Sequence, residues 1–295
     1  MVYSSEHLFG SAHGALTFLT RRAIRIIPIY WLLTTFYVAL EAAAPSLNKG
    51  YSAKYIAASY LFFPHARPDG TMEPVLAQGW TLNYEMLFYL LFASTVFWSR
   101  RIVVAACSLV LVAIVVVGKL LAPLPPIPSF WTNAIMLEFV FGMLLGFAYR
   151  EGARMPQWLA AILLVAGFVG LCMVWPLLNA AGGQRALATG IPATFVVGAA
   201  TFGNFSLNGR FWRLPVIIGN ASYALYLTHG LVVPATFVLF RAINLDQGAA
   251  AWLVFPAATI TSILVAIAAY HGFERPMTST LRRRASASPR SDQPL

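Results

Sequence analysis

Long apolar stretches alternate with short polar ones along most of the chain. Eight apolar stretches stand out, at about 26–44, 80–98, 102–121, 130–149, 158–178, 187–206, 215–241 and 249–273. Each is near the roughly 20 residues a helix needs to cross about 30 Å of hydrocarbon. The pattern predicts an all-α fold, a polytopic transmembrane bundle of about eight spans. Its main interruption is a polar loop over 45–79. Within that loop, residues 55–63 form an aromatic run too short to span, suited to the interface or to re-entry.

Composition strengthens this picture. Of 295 residues, 59% are hydrophobic and 10% charged, with a mean hydropathy of +0.71. Soluble domains carry about 25% charged residues. The net charge of +10 does not point to nucleic acid, because the basic residues sit between apolar spans. Of the 20 Lys and Arg, all but Lys49, Lys54, Arg67, Lys119, Arg185 and Arg241 fall on the side that bears Arg21. That bias makes it the cytoplasmic side and places both ends of the chain there. Residues 1–276 read as one membrane domain and 277–295 as a basic, disordered tail. Cys107 and Cys172 lie inside apolar runs, as buried small hydrophobes and not a disulfide or metal pair. No cleavable signal peptide is visible, and no internal repeat of the kind common in transporters.

Candidate chemistry begins at Arg21-Arg22-Ala23-Ile24-Arg25, read as a basic collar just before the first span, with Pro28 near that span's first turn. Two readings stand. One is a topology signal. In the other, Arg22 and Arg25, three apart on one helical face, grip the phosphates of a cytoplasmic ligand. Ionisable groups inside a span cost roughly 2.5–3.5 kcal/mol each on insertion scales, so each needs a reason. Glu85 lies in the second span, sharing a face with Thr81, Phe88 and Tyr89, either to hold a hydroxyl-bearing ligand or to bond a neighbouring helix. Glu138 falls near the middle of the fourth span and reads as structural. Ser222, Tyr226 and His229, at i, i+4 and i+7, form one polar stripe in the seventh span, as cavity lining or as structural hydrogen bonds. Glu274 and Arg275 read as a surface ion pair at the inner boundary. Signatures of soluble hydrolases, nucleotide loops and zinc proteases are absent, and the scattered His and Cys give no metal site.

Four motifs in order carry a resemblance: residues 21–31 with Arg-x-x-Arg, residues 79–85 (Gly-Trp-Thr-Leu-Asn-Tyr-Glu) with Phe88-Tyr89, Ser222-Tyr223 with 226–229 (Tyr-Leu-Thr-His), and 273–276 (Phe-Glu-Arg-Pro). Together they resemble the acyltransferase-3 family of integral membrane O-acyltransferases, closest to its exopolysaccharide-production branch. The resemblance implies a ten-span bundle in the bacterial cytoplasmic (inner) membrane. It implies acyl-coenzyme A, most simply acetyl-coenzyme A, as a donor substrate with no bound cofactor. The acceptor is then a hydroxyl of a polysaccharide or lipid-linked sugar. It assigns Arg22 and Arg25 to donor handling and matches Glu85 to the family's carboxylate, with Thr81 where serine is usual. Trp80, Thr81, Tyr89, Ser222 and Tyr226 would line the substrate site beside His229. The family's first span, with its catalytic histidine, and most of its second have no counterpart in this chain, and residues 1–5 resemble the end of that second helix. Two other readings stay open: a sugar-lipid transporter, and an inactive, N-terminally truncated acyltransferase.

Overall fold

A computed structural model describes residues 1–2, 5–11, 13–43, 50–67, 70–177, 185–203, 205, 209–245 and 247–287. Every regular element among them is helical. In chain order the helices are α1 (Gly14–Ala43), α2 (Ala53–Tyr60), α3 (Trp80–Thr95), α4 (Arg100–Leu120), α5 (Pro126–Trp131), α6 (Met136–Arg150), α7 (Gln157–Leu177), α8 (Arg185–Phe202), α9 (Arg213–Asn220), α10 (Ser222–Ala242), α11 (Val254–Ala269) and α12 (Arg275–Ala287). A π-helical turn, Tyr270–Glu274, joins the last two.

Each of the eight apolar stretches holds a helix. Among the described residues, six helical segments are long and apolar enough to cross a membrane: Gly14–Ala43, Arg100–Leu120, Pro126–Arg150, Gln157–Val174, Ser222–Ala242 and Ala250–Ala285. The other two are shorter. Helix α3 has 16 residues, about 24 Å of rise, and the apolar part of α8 is Leu187–Phe202. Leu109, Trp158, Val165, Met173 and Leu264 are all exposed, as expected where lipid and not water is the neighbour.

Several boundaries differ from the pattern. Helix α1 starts at Gly14, so the basic collar lies inside it and Pro28 falls in its interior. Nothing in residues 14–25 breaks a helix, and arginine itself favours one. The seventh stretch is two helices, α9 and α10, parted at Ala221 just after Gly219 and Asn220, both poor helix formers. Glu138 lies mid-way along the Pro126–Arg150 segment, as the pattern predicts, and in the first turn of α6, where the helix dipole favours a carboxylate. Residues 55–60 of the aromatic run belong to α2. The tail expected to be disordered from Met277 is helical as far as Ala287; 288–295 lie outside the described residues. Cys107 is buried, but Cys172 is exposed on its helix.

The chain divides into two compact units. The first comprises Met1–Leu19 and Tyr84–Leu207, the second Thr20–Asn83 and Asn208–Leu295. In the first unit, α7 packs on α8, and α6 on both α4 and α8. Phe18, Phe88 and Phe92 are buried. Phe18 meets Tyr89 edge-on at 5.7 Å, and Phe88 stacks on Phe139 at 4.6 Å. Glu6 ties the N-terminal segment to Arg150 at 2.5 Å and to Arg100 at 3.7 Å. Glu151 pairs with Arg100 at 2.7 Å and Arg101 at 3.1 Å. In the second unit, α10 packs along α11, and residues 50–67 and 70–79 of the polar loop cap α1. Tyr30 donates to the Ser59 carbonyl and Trp31 to that of Tyr60, each at 3.0 Å. Arg67 closes the cap on itself through Tyr55, Glu73 and the Pro74 carbonyl.

Candidate functional site

The second unit gathers seven of the residues singled out by sequence: Arg22, Arg25, Trp80, Thr81, Ser222, Tyr226 and His229. The centre of the arrangement is the start of α3. The chain reaches it through Val75 and Leu76, both buried, and a 3-10 turn, Ala77–Gly79. Gly79 packs so closely on Tyr30 of α1 that an added Cβ would lie 2.7 Å from the ring's Cε2. Gln78 presses its side chain against Gly230 of α10, where a Cβ would collide with the amide. Non-helical backbone among membrane helices must find partners within the protein. Here the Tyr226 hydroxyl donates to the Gln78 carbonyl. With that proton committed, Thr81 donates its own to the Tyr226 oxygen at 2.5 Å.

One turn further along α10, His229 Nδ1 meets the Leu225 carbonyl at 3.1 Å. A carbonyl can only accept, so Nδ1 is the donor in this bond. The His229 ring lies 6.1 Å from that of Tyr226. Ser222 is the exposed first residue of α10, so the predicted stripe narrows to Tyr226 and His229. Trp80 is half-buried at the start of α3.

Arg22 is half-buried and Arg25 exposed on α1. Arg25 acts electrostatically on Glu274, which also takes a hydrogen bond from the Ala224 N–H in the first turn of α10. Tyr223 of that turn donates to the Ile26 carbonyl at 3.0 Å. Glu274 is only 8% exposed, so it is a buried group set against the α10 start, not half of a surface pair with Arg275. Its place on a π-helical turn explains the difference: the extra residue per turn rotates a side chain away from its α-helical face. Sequence reasoning also passed over Gln78 and Asn83. Both are uncharged amides in a largely apolar stretch, a signal that a search for ionisable groups does not weigh.

Glu85 and Tyr89 belong to the first unit. The Tyr89 hydroxyl donates to Glu85 Oε1 at 2.6 Å, so these two of the four residues predicted to share a face of α3 meet on it. Two open hollows in that unit, of about 360 and 440 Å³, are lined by Glu6 and 99–101 and by parts of α6 and α8. Neither includes a predicted site residue. The second unit's buried polar groups, fixed by specific hydrogen bonds, make the stronger candidate.

Comparison with known proteins gives this arrangement a context. The family model described as an acyltransferase domain matches residues 7–271. The exopolysaccharide production protein ExoZ of Rhizobium meliloti (strain 1021) is 35% identical over 272 residues, covering 90% of this chain and 82% of that protein. No solved structure matches. With a family model covering most of the chain and its motifs seated on membrane helices, the chain belongs to the acyltransferase-3 family and is a multi-pass membrane acyltransferase.

Proposed function

We propose that the protein transfers an acetyl or other short acyl group from acyl-coenzyme A to a hydroxyl of an exopolysaccharide or its lipid-linked precursor. It acts in the bacterial inner membrane with both described ends on the cytoplasmic side. The observation that carries this reading is the polar array of the second unit. Arg25 acts electrostatically on Glu274 near the start of α10, and one turn into that helix Tyr226 is hydrogen-bonded to Thr81 and the Gln78 carbonyl at the start of α3. The exopolysaccharide link is supported by the likeness to ExoZ, and the orientation by the lysine and arginine bias.

In this reading Arg22 and Arg25 hold the donor's phosphates by charge-assisted hydrogen bonds, for which the planar guanidinium is suited. Trp80, Thr81 and Tyr226 line the path of the acyl group. His229, with Nε2 as acceptor, takes a hydrogen bond from a hydroxyl-bearing substrate. A transporter for sugar-lipids would leave the donor unchanged, so donor consumption separates the two readings. The test is the purified protein in lipid vesicles, given acetyl-coenzyme A and a membrane extract of lipid-linked saccharides. Free coenzyme A thiol should appear in proportion to O-acetyl ester. If saccharide crosses the bilayer while the donor stays intact, the proposal is wrong.

A further inference from the structure

We infer that the side-chain amide of Asn83 donates a hydrogen bond to the carbonyl oxygen of the acyl group as it is transferred, which makes it a further catalytic residue. The inference rests on the acyl transfer proposed above. Asn83 is 1% exposed. Neither its Nδ2 nor its Oδ1 has a hydrogen-bond partner among the described residues. A buried amide with no bonds lowers folding stability, and a leucine of similar size would avoid that loss. The chain nevertheless keeps both of the amide's polar atoms at this place.

The direction of the side chain says what the amide is for. Asn83 is in the first turn of α3, and helical side chains lean back over the turn that precedes them. The amide therefore covers the start of the helix, where the helix dipole is positive. The Gln78 side chain belongs to the segment leading into that start, and its Oε1 is likewise buried without a partner. Tyr30 and Tyr226 fix this turn through Gly79 and the Gln78 carbonyl, so the amides do not need to reorganise when a ligand arrives. An N–H donor at the positive end of a helix suits an oxygen that gains negative charge. In acyl transfer that oxygen is the thioester carbonyl. The acceptor oxygen bonds to the carbonyl carbon, the carbon–sulfur bond breaks, and the hydroxyl proton ends on the coenzyme A thiol. Between the two bond changes the carbonyl oxygen carries the charge that Asn83 would meet.

Function and stability then respond in opposite directions, which a purely structural amide would not do. In Asn83→Leu, we expect kcat for acetyl transfer to fall about 100- to 1000-fold, the range for loss of one such donor. KM for acetyl-coenzyme A should stay within about twofold, and the thermal midpoint in detergent should not drop. Asn83→Asp keeps the shape and removes the N–H; it should lose at least tenfold in kcat, and it decides the matter if the leucine variant does not reach the membrane. A kcat within about threefold of the parent in either folded variant overturns the inference. So does a loss confined to KM. An inactive parent protein instead rejects the acyl-transfer reading itself, so the two failures are distinct.

Discussion

In the first unit, Glu6, Arg100, Arg101, Arg150 and Glu151 meet at helix ends within reach of water and pair with one another. In the second unit, Asn83 and Glu274 are buried and Gln78, Thr81 and Tyr226 half-buried, and some of their polar atoms have no partner among the described residues. Surface pairs contribute little to stability, whereas an unpaired buried polar group costs it. The first unit's charges hold chain segments together at little risk. The unpaired buried polar groups of the second are expensive to keep, and Asn83 and Glu274 both fall at motif positions. The contrast separates a scaffold from a working part by where each keeps its polarity.

The contrast can be broken most directly at the arginines. Arg22→Ala together with Arg25→Ala should reduce acetyl transfer at least about 100-fold, a loss of about 2.7 kcal/mol in transition-state stabilisation, with membrane insertion unchanged. Retained transfer would remove the pair from the site. Gly79→Ala comes next, because its Cβ would lie 2.7 Å from the fully buried Tyr30 ring. Overpacking of this kind costs about 1–3 kcal/mol, read as a lower thermal midpoint in detergent. Tyr226→Phe strips the hydroxyl that serves the Gln78 carbonyl and Thr81, and should cost about 1–2 kcal/mol; an unchanged midpoint would show that water replaces it.

The smallest effect belongs to the first unit. The hydrogen bond from Arg101, and then its charge and that of Arg100, hold the Glu151 carboxyl below its usual range. A carboxyl with a lowered folded pKa stabilises the fold above its unfolded value of about 4.3. It loses that contribution as pH falls through the folded value. Glu151 is open to water, so the gain is screened. Arg101→Ala should therefore shift the neutral-pH midpoint less than the two changes in the second unit, and the difference from the parent should close as the melt is repeated toward pH 3. A difference that grows on acidification would reverse the assignment.

Much of this fold was legible in the chain because membrane spans are written in composition alone. Twenty apolar residues read the same whatever packs beside them, and all eight stretches hold helices. The start of α1 was not legible, because arginines were expected to end the apolar helix when they can equally ride on one. Glu274 was misread because sequence gives a residue's distance along a helix, while the π-turn decides which way it faces. The Thr81–Tyr226 bond joins residues 145 apart, and no local pattern encodes such a pairing. For the same reason Asn83 looked like any polar residue near a helix start. Its lack of a partner is a property of the packed unit and not of residues 79–89.

The bond from Tyr226 to the Gln78 carbonyl has a consequence for how the protein is made. Its two ends are 148 residues apart in the chain. At synthesis rates of about 5–20 residues per second, the partner of that carbonyl emerges roughly 7–30 s after it. Until then, the start of α3 must be served by water, lipid headgroups or the insertion machinery. The segment at the centre of the second unit thus takes its final seat late in biogenesis, when α10 arrives to receive it.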